Sequence, residues 1–75
     1  MENREGSTTR ERVYKALMAR YLADQDEALV KIDALIRGEV VPGHHDLISD
    51  IDKLLAKVAF AEEKMATLRR YYGTN

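Results

Sequence analysis

A single interruption governs what this chain can fold into. Between two long stretches of helical periodicity lies Arg37-Gly38-Glu39-Val40-Val41-Pro42-Gly43-His44-His45, which holds the only proline and two of the four glycines in 75 residues. Glycine takes the left-handed backbone at a helix end without a Cβ penalty. Proline lacks an amide donor and disfavours a helical residue before it, here Val41. The first helix is therefore expected to stop at Gly38. The second restarts near Pro42, whose fixed φ suits a first turn, or at Asp46 acting as N-cap, and the spacing leaves both starts open. Because the break falls almost midway, the chain is expected to double back on itself.

Each arm carries its own helix signal. Thr8-Thr9-Arg10-Glu11 has the spacing of a capping box, and neither proline nor glycine follows until Gly38. Apolar residues then recur at Tyr14, Met18, Tyr21, Ala28, Ile32 and Leu35 in steps of four and three, with Gln25 the one polar residue in register. The second arm runs Leu47, Ile51, Leu54, Val58, Ala61, Met65, Leu68 and Tyr72 without a break, a complete heptad seam. Glu11–Lys15, Glu27–Lys31 and Asp33–Arg37 add acid-first pairs four residues apart, each worth about 0.3 kcal/mol.

The apolar face is wider than a two-stranded seam. Leu22, Leu29 and Ile36 lie beside it in the first arm, with Leu17 on the other edge, and Ile48 and Leu55 lie beside it in the second. Farther along, Glu62 and Arg69 take over that flank, so the face narrows toward the C-terminus. A face this wide calls for more than one neighbour. The expected fold class is all-α: an antiparallel two-helix hairpin with a helix over 8–37, a turn over 38–45 and a helix over 46–72. Residues 1–7 are expected to form a flexible arm, and 73–75 to fray. The hairpin is completed either by homodimerisation into a four-helix bundle or by docking on a larger helical protein.

Composition narrows the function. Thirteen acids nearly cancel twelve bases, so global charge draws the chain to neither nucleic acid nor anionic membrane. No apolar run approaches the roughly 20 residues that span a bilayer, and the polar start lacks the apolar core of a signal peptide, which makes a cytoplasmic location the expectation. There is no cysteine. His44 and His45 are the obvious metal candidates, but adjacent residues on a helical turn point about 100° apart and rarely ligate one ion. Helical zinc ligands sit three or four residues apart, and no third histidine is present. Nor is there a phosphate loop, a nucleophile elbow or a Glu-x-x-His pair. The expectation is a non-enzymatic protein with no cofactor.

Two surfaces remain as candidates. The first is the apolar flank, Leu22, Leu29, Ile36, Ile48 and Leu55, together with Val58 and Phe60; Phe60 stands off the seam where a lone helix would face water. The second is the open end, where antiparallel pairing brings Arg10, Arg12 and Lys15 near Arg69, Arg70 and Tyr71. Basic side chains interleaved with tyrosines are the ingredients of an RNA or single-stranded DNA surface, although Tyr14, Tyr21 and Tyr72 are also seam residues.

Ala34-Leu35-Ile36-Arg37-Gly38 closing the first helix, Pro42 four residues later and Asp52-Lys53-Leu54-Leu55 in the second helix cover about half the chain. In these the hairpin resembles the small E-type co-chaperones of type III secretion needle subunits. The resemblance implies a hairpin that binds a larger helical-repeat chaperone, the pair holding the needle protein unpolymerised. It also implies a partner-binding surface around Leu54, Val58 and Phe60.

Overall fold

The computed structural model describes residues 8–43 and 46–73; the arm 1–7, His44, His45, Thr74 and Asn75 lie outside the described residues. Two helices, α1 (Thr9–Ile36) and α2 (Leu47–Tyr72), pack against each other as a hairpin, and the described residues contain no strand. Twenty-eight residues make α1 about 42 Å long. The molecule measures 50 × 22 × 19 Å.

The start of α1 is fixed by the expected reciprocal cap. The Glu11 amide donates to Thr8 Oγ1 at 3.1 Å, and the Thr8 amide donates to Glu11 Oε1 at 3.0 Å. Two of the four orphan donors of a helix N-terminus are thereby satisfied. At the other end Arg37 is the C-cap and Gly38 takes the left-handed conformation, φ 75°. The Gly38 amide donates to the Leu35 carbonyl (3.1 Å) and the Glu39 amide to that of Ala34 (2.8 Å), a Schellman pair. The Arg37 side chain reaches both Asp33 (3.4 Å) and Glu39 (3.1 Å), so the third of the expected acid-first pairs forms and extends into the turn. All three partners are exposed, which keeps the contribution small.

Of the two possible starts of α2, Asp46 is the one used. Its carboxylate accepts from the Ser49 amide at 2.7 Å, and the helix begins at Leu47 rather than at Pro42. One turn farther, Asp50 reaches back across the loop and accepts from the Gly43 amide at 2.7 Å. Arg69 and Arg70 occupy the last turn, where positive charge complements the helix dipole.

The core is the seam and little else. Among the described residues Ala28, Ile32, Leu35, Val58, Ala61 and Met65 are the buried apolar ones, all of them on the expected heptad positions. Ile51 and Leu54 pack, partly buried, against the cluster of Ala28, Ile32 and Val58. Toward the ends the seam opens. Tyr14, Met18, Tyr21 and Leu68 are half-buried, and Leu47 and Tyr72 are exposed. Gln25, the polar seam residue, donates from its side-chain amide to Glu62 Oε2 at 2.8 Å and so ties α1 to α2.

Substitution of the two loop glycines separates conformational need from open space. Only Gly38 has a positive φ, while a Cβ at Gly43 would meet nothing closer than Asp50 Oδ2 at 3.8 Å. Gly38→Ala should therefore cost about 1–2 kcal/mol in urea unfolding. Gly43→Ala should leave stability unchanged or raise it by about 0.5 kcal/mol.

Candidate interaction surface

The hairpin has two long sides, and the heptad positions say which residues each one holds. In an antiparallel pair, residues that immediately precede a seam position on one helix lie beside the corresponding residues on the other. Residues that immediately follow a seam position share the opposite side. The first set is seen together: Asp24 and Lys31 of α1 and Lys57 and Lys64 of α2 line one groove of about 280 Å³, floored by Ala28, Leu54 and Ala61. That side is charged. Lys64 Nζ sits 5.3 Å from the centre of the Tyr21 ring and 5.1 Å from that of Phe60, a cation held between two aromatic faces.

The opposite side carries Leu22, Leu29 and Ile36 from α1 and Ile48 and Leu55 from α2. All five are exposed, between 43% and 73%. Seven-residue spacing in each helix keeps them in two rows, and the α1 row alone spans fourteen residues, about 21 Å. Glu62 and then Arg69 and Lys15 continue these rows toward the open end, and the Gln25–Glu62 bond marks where apolar gives way to polar. Five large aliphatic side chains in one strip differ in kind from single exposed apolars, which any surface has.

The structure therefore divides the expected partner-binding set. Leu22, Leu29, Ile36, Ile48 and Leu55 form one strip. Val58 does not belong to it: at 8% exposure it is spent inside the hairpin against Ala28 and Ile32, because it is a seam residue and the seam faces the other helix. Leu54 is likewise turned inward, partly buried. Phe60 is exposed but lies on the charged side, its ring engaged by Lys64. Its contact with Lys64 gives it a role that periodicity alone did not reveal.

At the open end, Arg10 and Lys15 meet Thr8, Glu11, Tyr14 and Tyr72 around a cavity of about 560 Å³. The Arg10 guanidinium stands 5.3 Å over the Tyr72 ring and that of Arg70 5.9 Å over the Tyr71 ring. Arg12 and Arg69 are exposed but join neither stack. Two of the aromatic faces available to a base thus already carry a cation. Among the described residues no cluster of three or more histidines or carboxylates could hold a metal, and no helix is long and apolar enough to cross a membrane. His44 and His45 lie outside the described residues.

Comparison with known proteins adds nothing to this geometry: no family model, curated protein or solved structure matches the chain.

The division between seam and strip has a direct consequence. In dilute solution, Leu29→Asp should keep its helical circular dichroism and shift unfolding by no more than about 1 kcal/mol. Val58→Asp buries a charge and should lose more than about 3 kcal/mol, enough to melt a hairpin of this size.

Proposed function

We propose that this chain is a non-enzymatic helical interaction module acting in the cytoplasm, and that it binds through the strip of Leu22, Leu29, Ile36, Ile48 and Leu55. The exposure of these five side chains on one side of the hairpin is the observation that carries the reading. Among the described residues six apolar side chains are buried, a thin core, and small folds without disulfides or metals commonly gain stability from a partner. The resemblance to the needle co-chaperones gives the module its most concrete form. It is a type III secretion needle co-chaperone that lays the strip against a larger helical-repeat chaperone, the helix-in-groove mode of recognition. Binding of RNA or DNA at the open end is the weaker reading, since Arg10 and Arg70 stack on Tyr72 and Tyr71 within the chain.

The test is co-expression with the helical-repeat chaperone and the needle subunit of the same secretion system. A complex that survives gel filtration is expected. Leu29→Asp with Leu55→Asp should weaken it at least about thirtyfold, the scale of a binding hot spot, while Phe60→Ala leaves it intact. Absence of any complex would overturn the co-chaperone form. A complex indifferent to the strip substitutions would overturn the strip as the binding surface.

A further inference from the structure

The outer edges of the strip are acidic. On α1, Asp26 stands four residues after Leu22 and three before Leu29, and Asp33 stands likewise between Leu29 and Ile36. On α2, Asp52 stands between Ile48 and Leu55 at the same spacing. Residues three and four apart are neighbours on a helix surface, so each aspartate borders the strip on the side away from the seam. All three are exposed. Asp33 shares Arg37 with Glu39, while among the described residues neither Asp26 nor Asp52 makes an ion pair.

Bases over the same stretch go to the other side. Within 22–36 and 47–62 they are Lys31, Lys53 and Lys57, and each immediately precedes a seam residue. Lys31 and Lys57 line the charged groove with Phe60. Bases rejoin the strip rows only at Lys15 and Arg69, one heptad beyond Leu22 and Glu62. The strip is thus an apolar surface with an unpaired aspartate on each outer edge, Asp26 from one helix and Asp52 from the other.

We propose that the strip takes one amphipathic helix whose apolar stripe is flanked on both edges by lysine or arginine. The inference rests on the strip being the binding surface, and names the chemistry of what covers it. Two apolar rows on neighbouring helices make a groove, and a third helix laid along it meets both rows at once. A helix satisfies its own backbone, whereas an extended segment needs a sheet edge, and the described residues contain no strand. The α1 row spans about 21 Å, so about 14–18 residues of partner cover it. Asp26 and Asp52 then face the two charged flanks of the incoming stripe. Opposite charges at such a rim select the partner, and like charges reject the wrong one. A second copy of this chain brings the same aspartates to the contact, which makes self-contact through the strip the weaker pairing.

A designed peptide tests this chemistry directly. The probe is a helix of about 18 residues with leucine at i, i+3, i+4 and i+7 spacing and lysine on both flanks, mixed with the full chain and followed by fluorescence anisotropy. A companion peptide keeps the leucines and carries glutamate in place of lysine. Micromolar binding of the lysine peptide is expected, with the glutamate peptide at least about tenfold weaker. Leu29→Ser with Leu55→Ser should weaken the lysine peptide at least about thirtyfold. Asp26→Asn with Asp52→Asn should weaken it about tenfold. Asp24→Asn with Glu27→Gln, the same change of charge on the opposite side, should weaken it less than about twofold.

Equal affinity for the two peptides, or equal losses from the two acid pairs, would overturn the basic helix as occupant. Self-association tighter than binding of the lysine peptide would overturn it in favour of a second copy. Failure of the lysine peptide to bind would also overturn this inference, and the co-expression experiment then judges the surface separately. Binding indifferent to Leu29→Ser with Leu55→Ser would overturn both the inference and the surface on which it rests.

Discussion

Two helices touch along one line, and everything else in this molecule follows from that limit. A heptad seam fills the line: Ala28, Ile32 and Leu35 from α1 meet Val58, Ala61 and Met65 from α2, and these are the buried apolar residues. Nothing on either flank of the seam can reach the interior of a two-helix structure. The sequence nevertheless spends five large aliphatic residues on one flank and a mixture of lysines and acids on the other. The charged flank solvates itself and anchors Phe60 through Lys64. Among the described residues the aliphatic flank has no such use. These five side chains are only 43–73% exposed, so covering them would contribute about half of the roughly 1.5–3 kcal/mol that full burial of each is worth, together about 4–8 kcal/mol.

How much of this could be read from the sequence depends on the range of each interaction. The capping box at Thr8 and Glu11, the left-handed Gly38 and the seam are local or strictly periodic, so residue type and spacing specify them. The choice of Asp46 over Pro42 as the start of α2 was not legible, because both residues favour a helix start and the competition is settled across the loop. Asp46 caps Ser49 while Asp50 holds the Gly43 amide. Gln25 looked like a defect in the seam until Glu62, 37 residues away, supplied its partner. Val58 stands on the seam and is buried there, whereas Phe60 stands off it and is exposed with its ring against Lys64. Periodicity says how far a residue lies from the seam, but a binding role depends on which of the two sides it faces and what waits there.

Charge is arranged on a longer scale than any of these contacts. A chain with nearly balanced acids and bases has no global reason to seek a polyanion, yet its bases gather at the open end and its acids at the turn. At exposed sites individual ion pairs contribute little.

If the strip, and no other surface, is where this protein meets its neighbours, its methyls must respond to association. Methyl-resolved NMR over a dilution series tests it most directly, since the leucine, isoleucine and valine methyls sample both sides of the hairpin in one spectrum. Concentration-dependent shifts and broadening are expected at Leu22, Leu29, Ile36, Ile48 and Leu55. Val13 and Val30, exposed but off the strip, should stay unchanged, as should the Phe60 ring. Shifts centred on Phe60 and Tyr21, or on the tyrosines of the open end, with the strip methyls silent, would contradict it.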